Sequence, residues 1–319
     1  MVNDICKMFH ITYPIIQGGM GNISNAPLTA AVSEAGGLGT IGCGTMEPEE
    51  VEKIIIETKK RTDKPFAVNI AINVTPYTDA LIDLVIKHRV PVVSLSAGNP
   101  APYIPKLQEQ GMKVLTIVAT VKHAKKAEAA GADAIVAEGF EAAGINSNLE
   151  LTTFTLIPQI VDQVDIPVIA AGGIGDGRGL AAAFMLGASG VQMGTRFIAT
   201  KEAPFHENYK NKILTATDTS TQIIGRSVGK TRRVLTNEYA EKIKQFEKKG
   251  MTAEEFDKLT TEAQHIKGAI DGNFSEGFIN GGQISGLIDS IPTVKQLLEE
   301  MMQEAQKQLT EVQKKLSSY

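Results

Sequence analysis

The residues of this chain best suited to chemistry are glycines that follow strands. Gly172-Gly173 and Gly194-Thr195 each come directly after a short apolar run, Val168–Ala170 followed by Ala171 in the first case and Gly190–Met193 in the second. Because glycine lacks a Cβ, main-chain N–H groups in such loops can come within hydrogen-bond reach of phosphate oxygens. One Gly-Gly after a strand is usually a tight turn, but glycine loops after two neighbouring strands point to a phosphorylated ligand. Flavin mononucleotide, pyridoxal phosphate and sugar phosphates all meet that description, and these residues do not choose among them. Further polar or flexible groups close other runs: Gln17-Gly18-Gly19-Met20-Gly21, Asn69, Ser94 with Ser96, Gly98-Asn99, and Glu138-Gly139-Phe140-Glu141-Ala142-Ala143-Gly144. The two cysteines, Cys6 and Cys43, fit neither a disulfide framework nor a zinc spacing, and no metal site is expected.

The elements that must position these residues repeat. Short β-branched or small-apolar runs occur at Pro14–Ile16, Gly39–Gly42, Phe66–Ile70, Val92–Leu95, Lys113–Val118, Ala134–Ala137, Val168–Ala170 and Gly190–Met193. Their starts lie roughly 20 to 34 residues apart, enough for one helix and two short loops between strands. Helix signals fill the gaps: Pro27–Ala35 ends on Gly36-Gly37, Pro48–Lys60 carries Glu49 and Glu50 in its first turn, and Val121–Ala130 stops at Gly131. Strand runs without polar alternation suit a parallel sheet covered on both faces. Eight such units predict an α/β fold of the (β/α)8 TIM-barrel type, in which strand C-termini face the active site.

After the eighth unit the chain becomes richer in charge. Residues 201–283 are expected to form a small, mainly helical second domain over the barrel mouth, with a helix at Asn237–Lys249 and a capping box at Thr252 and Glu255. Residues 1–200 and 284–319 are assigned to the barrel. The last segment, from Val294 through Leu297, Leu298, Met301, Met302, Ala305, Leu309 and Val312 to Leu316, keeps a 3.6-residue apolar period. It is expected to be the eighth barrel helix, with its far end available for a homodimer contact. At 319 residues, 43% hydrophobic and 21% charged, with a net charge of −4, the chain reads as a soluble globular protein. No run is long enough to span a bilayer and the first residues lack a signal-peptide pattern, so a cytoplasmic location is expected. The acidic balance argues against a nucleic-acid partner.

Several motifs in order resemble one enzyme family. They are Tyr13-Pro14-Ile15-Ile16-Gln17-Gly18-Gly19-Met20, Ala35-Gly36-Gly37-Leu38-Gly39, Lys64-Pro65-Phe66-Ala67-Val68-Asn69, Ser96-Ala97-Gly98-Asn99-Pro100, Ala137-Glu138-Gly139, Ile166-Pro167-Val168-Ile169-Ala170-Ala171-Gly172-Gly173-Ile174 and Val191-Gln192-Met193-Gly194-Thr195-Arg196-Phe197. Shorter matches continue at Lys201-Glu202, His206, Asn208-Tyr209-Lys210, Gly225-Arg226-Ser227 and Gly281-Gly282-Gln283. The chain is similar to the flavin-dependent family of enoyl-acyl-carrier-protein reductases II (FabK-type) and nitronate monooxygenases, once called 2-nitropropane dioxygenases, with details favouring the reductase branch.

The resemblance implies FMN across the barrel mouth. Its phosphate would lie on Ala171-Gly172-Gly173 and Gly194-Thr195 and its ring near Gln17, Gly18, Gly19 and Met20, with Asn69, Glu138 and Gly144 also in contact. It implies NADH or NADPH as co-substrate, hydride passing through the flavin to an enoyl thioester, and a fatty-acid biosynthetic setting. His206, Lys230, Arg233 and Gln283 are the substrate contacts it suggests. The alternatives are oxidation of nitronates with O2, and a flavin-binding protein with reduced or lost catalysis.

One departure bears on mechanism. The loop after strand six in this family usually carries a histidine, but here Glu141-Ala142-Ala143-Gly144 runs into Ile145-Asn146-Ser147-Asn148. Ile145 fills the histidine slot, leaving Asn146 and Ser147 as the adjacent polar candidates and the catalytic acid/base unassigned. The family's second-domain Gly-His pair reads Gly229-Lys230. His10, His88, His123 and His265 are expected on helix or loop surfaces, and His206 in a structural loop. Lys230, Arg232 and Arg233 read as a surface basic patch that could receive an acidic acyl carrier protein.

Overall fold

The computed structural model describes residues 4–318. The strands are β1 (Ile15–Gln17), β2 (Gly39–Gly42), β3 (Phe66–Ala71), β4 (Val92–Ser96), β5 (Lys113–Val118), β6 (Ala134–Glu138), β7 (Gly144–Ile145), β8 (Val168–Ala171), β9 (Gly190–Met193), β10 (Thr221–Ile224) and β11 (Arg232–Leu235). All but β7, β10 and β11 pair in parallel in the order β1-β9-β8-β6-β5-β4-β3-β2. Main-chain bonds from Leu38 N to Ile15 O (3.0 Å) and from Gln17 N to Leu38 O (2.9 Å) join the ends of that sheet into a (β/α)8 barrel. The seventh and eighth barrel strands are therefore β8 and β9.

Local signals set the helices. Asn25 caps the helix Ala26–Glu34 by accepting from Leu28 N, Thr120 caps Val121–Ala129 through His123 N, and Asp176 caps Gly177–Met185 through Gly179 N. The first helix, Asp4–Phe9, lies under the barrel, where Ile5, Cys6 and Phe9 pack against Ile16, Leu38, Val92, Leu115 and Ile169 from the strands. The bottom is thereby sealed by apolar side chains, and only the C-terminal face is open to ligands.

The final helix, Val294–Leu316, is the eighth barrel helix: it packs between the helices Gly177–Met185 and Ala26–Glu34. At its crossing with the former, Gly177 donates its N–H to Glu304 at 2.7 Å. Its apolar stripe is only half used, for Val294, Leu297, Leu298, Met301 and Ala305 are buried whereas Val312 and Leu316 are exposed. Among the described residues no helix is long and apolar enough to cross a membrane.

The segment between β9 and this helix contains strands that the sequence reading did not assign. The hairpin β10–β11 pairs antiparallel with β7, which belongs to the loop after β6. That three-stranded sheet packs with the helices Glu238–Lys248 and Ala253–Leu259 around Ile224, Val234, Ala240, Ile243, Phe256 and Phe278. The predicted capping box at Thr252 and Glu255 is present. Because β7 completes this sheet, the segment is stitched to the rim of the barrel rather than hung from its two ends.

Replacing Leu298, which is 0% exposed, with alanine is expected to cost about 2–5 kcal/mol of stability, while Leu316→Ala, at 66% exposed, stays within about 0.5 kcal/mol. Urea unfolding midpoints measure both, and equal losses would contradict the placement of this helix.

Candidate active site

The C-terminal ends of the barrel strands and the segment above them enclose a cavity of about 890 Å3, within the size range of ligand sites. Its floor and walls come from Gly18, Gly19 and Met20 after β1, Asn69 on β3, Glu138 on β6, Gly172 and Gly173 after β8, and Gln192, Gly194 and Thr195 at the end of β9. Its roof is Ala143–Ser147, Tyr209, Arg232, Glu262, His265, Asn280 and Gly282.

The glycine corner has the properties the sequence required. Gly172 and Gly173 hold φ of +97° and +73°, a region that side chains disfavour, and a Cβ on Gly172 would sit 2.9 Å from Gly139 O. A Cβ on Gly194 would meet no atom within 4 Å, so this residue borders open cavity. Among the described residues, the N–H groups of Gly173, Gly194 and Thr195 donate to no main-chain carbonyl. Three free donors around an open space suit a phosphate.

Loops are tied to this corner by side chains. The Glu141 carboxylate accepts from Thr153 N (3.0 and 2.9 Å), and the Thr153 hydroxyl lies 2.9 Å from both Glu141 Oε2 and Gly172 O, its one proton shared between them. From above, Gly282 donates its N–H to the Thr195 hydroxyl at 3.0 Å, and Gln283 donates to Glu141 O at 2.9 Å. On the opposite wall Asn69 donates from Nδ2 to Ser94 O (3.2 Å), Ser94 Oγ (3.1 Å) and Ser96 Oγ (3.2 Å). Gly19 lies so close to it that a Cβ there would be 2.6 Å from Asn69 Cβ.

Two acid–base facts stand out. Burial pushes the Glu138 carboxyl up to about 7, and among the described residues no side chain donates to it. Burial also depresses the Arg232 guanidinium, which the Glu262 carboxylate partly restores.

Most residues expected to hold a cofactor border the cavity: Gly18, Gly19, Met20, Asn69, Glu138, Gly144, Ala171, Gly172, Gly173, Gly194 and Thr195. Gln17 does not. Its side chain is fully buried, donating to Thr40 O at 3.1 Å across the β1–β2 seam. Gln192, on the neighbouring strand, takes the cavity position instead. Ile145, Asn146 and Ser147 line the roof, but Asn146 spends its amide on Ala142 O (2.8 Å) and Gly144 O (3.3 Å), holding its own loop.

The four expected substrate contacts fall outside the cavity lining. His206 caps the helix Glu207–Leu214 through Asn208 N, Gln283 is exposed beyond the rim, and Lys230 is ion-paired with Asp257 at 2.5 Å. Arg233 donates to Phe140 O at 3.1 and 3.0 Å and lies over the Phe140 ring, at 4.9 Å. The expected basic patch does not form, because Arg232 and Arg233 are 8% and 4% exposed. As a middle strand between β10 and β7, β11 is covered along its length. His265 is also corrected: it is 3% exposed, stacked on Phe278 at 5.2 Å, and part of the roof. His88, held 2.6 Å from Glu52, lies away from the cavity, while His123 reaches its outer edge.

The family model for nitronate monooxygenase matches residues 3–304. The chain belongs to the nitronate monooxygenase family. It is 42% identical to the solved FabK of Thermotoga maritima, with a TM-score of 0.93 over 98% of this chain and 99% of that one. It resembles the nitroalkane oxidase of Streptomyces ansochromogenes at 26% identity and TM-score 0.85, covering 97% of this chain and 99% of the other. A probable nitronate monooxygenase of Staphylococcus saprophyticus is 36% identical over 76% of this chain and 81% of its own. A (3aS,4S,5R,7aS)-5-hydroxy-7a-methyl-1-oxo-octahydro-1H-indene-4-carboxyl-CoA dehydrogenase of Rhodococcus jostii is 32% identical over 96% of both. This is a family of oxidoreductases.

The raised Glu138 carboxyl has a consequence for stability. Between its ordinary value of 4.5 and about 7, the unfolded chain ionises Glu138 while the folded ligand-free protein keeps the proton. Relative to Glu138→Gln, the wild type is expected to lose about 3 kcal/mol as pH rises through that window and to level off above it. Urea unfolding across pH measures this, and parallel curves for the two proteins would contradict it.

Proposed function

We propose that this protein is an FMN-dependent oxidoreductase that takes a hydride from NADH or NADPH and delivers it to the activated double bond of an enoyl thioester. The observation that carries the reading is the corner at Gly172-Gly173 and Gly194-Thr195, with three free N–H groups opening onto a cavity large enough for a flavin. Likeness to the Thermotoga maritima FabK over nearly the whole chain supports the same choice. The chemistry supplied by bound FMN is hydride acceptance from the nicotinamide and hydride donation to the acceptor.

The chain's own residues have defined tasks. Gly173, Gly194 and Thr195 hold the phosphate, and the side-chain-free wall at Gly18 and Gly19 admits a flat ring to the main chain. Asn69, Gln192 and Glu138 present polar groups to that ring. With its carboxyl near 7, Glu138 can hold a proton on its oxygen at neutral pH and release it without a large cost. The roof from β7, β11 and Asn280–Gly282 excludes bulk water above the reacting atoms. Since Ile145 carries no exchangeable proton, the acceptor draws its proton from water or from another cavity group.

Nitronate oxidation with O2 is the second reading. It is favoured by the family model and by the apolar side chain at Ile145, because a nitronate is already an anion and needs no base to remove a proton. Anaerobic stopped-flow separates the two. NADH or NADPH is expected to bleach the roughly 450 nm flavin band, and crotonyl thioester to restore it. A flavin that stays yellow with both nicotinamides but is bleached by propane-2-nitronate would overturn the reductase reading.

A further inference from the structure

The roof of the cavity holds a charged group that the proposed reaction leaves unused. Arg232 is 8% exposed and lines the cavity, yet among the described residues its side chain donates no hydrogen bond and forms no ion pair within 4 Å. Its guanidinium carbon lies 4.9 Å from the centre of the Phe278 ring, and the same ring stacks on His265, 5.2 Å away and inclined by 9°. His265 Nδ1 stands 3.6 Å from Glu262 Oε2, and its Nε2 is 3.3 Å from Asn280 Nδ2. Glu262 Oε2 and Asn280 Oδ1 are themselves buried without hydrogen-bond partners. A guanidinium taken from water and left unpaired is costly, and its planar fork matches the two oxygens of a carboxylate.

Register explains why this group faces the reaction. Arg232 on β11 is the direct antiparallel partner of Ile145 on β7, and side chains of such partners share one face of the sheet. Ile145 thus gives this part of the roof an apolar side chain, and the residue beside it across the ladder is a cation.

We propose that Arg232 anchors an oxyanion subsite in the roof, which takes a carboxylate or an equivalent planar two-oxygen anion on the acceptor. Phe278, backed by His265, holds the guanidinium in place, and the Glu262 carboxylate tempers its field. This rests on the oxidoreductase reading and deepens it: the acceptor carries a carboxylate-like anion as a group separate from its neutral thioester.

Isothermal calorimetry tests it with purified wild type, Arg232→Met and Glu262→Gln, using crotonate, its neutral isostere crotonamide, and propane-2-nitronate. Wild type is expected to prefer crotonate over crotonamide by about 10- to 100-fold, Arg232→Met to remove that preference while leaving crotonamide within about twofold, and Glu262→Gln to tighten crotonate severalfold. The two sources of such an anion are separated by the order of affinities: tighter crotonate marks a carboxylate acceptor and tighter nitronate a nitronate, and loss of the tighter ligand in Arg232→Met supports the subsite in either case. Equal weakening of crotonate and crotonamide by Arg232→Met, or crotonate binding unchanged by Glu262→Gln, would overturn it. The titration needs neither hydride donor nor turnover. Arg232-dependent binding in a protein that NADH and NADPH do not reduce would therefore refute the reductase reading alone.

Discussion

The interaction on which the site depends is the grip of the Glu141 carboxylate on Thr153. Through it the loop after β6 is folded back beside Gly172, since the Thr153 hydroxyl lies between Glu141 Oε2 and the carbonyl of Gly172, 2.9 Å from each. The main-chain oxygen of Glu141 then receives Gln283 N, and Thr195 receives Gly282 N. Four segments far apart in sequence converge on one corner of the barrel mouth. Without that convergence the free N–H groups of Gly173, Gly194 and Thr195 would point into separate loops and could not surround a single phosphate.

The same tie fixes the roof. With the loop after β6 held at Gly172, its next residues form β7 and accept β11 as a partner, so Arg232 and Ile145 face the cavity together. The floor offers free main-chain N–H donors of the kind that suit a phosphate, and the roof sets an apolar Ile145 beside an unpaired Arg232.

Much of this was legible in the sequence. Evenly spaced apolar runs between capped helices leave few arrangements besides a barrel, and the last residue of each run marks the level of the mouth, so Asn69, Glu138, Gly173 and Gly194 could be named as neighbours. What spacing does not give is the face of the strand. Gln17 ends β1 and Gln192 is the last residue but one of the adjacent β9, yet the former turns into the β1–β2 seam and the latter into the cavity. The two-residue β7 has no periodicity to reveal it, and without it Arg232 and Arg233 look like loop cations rather than members of a middle strand. His265 misled for a related reason: its short helix carries charge on one side, and only Phe278, from a later loop, shows that the other side is covered.

The central claim, that this corner holds a flavin phosphate, is tested most directly by the flavin content of the purified protein. Heat-released cofactor, identified by mass and quantified per chain, is expected to be FMN at one per wild-type chain and near zero in Gly194→Val, whose side chain would extend into the open cavity at a backbone conformation that valine tolerates. A wild type that carries FAD or no flavin, or a Gly194→Val variant that keeps its FMN, would contradict the account.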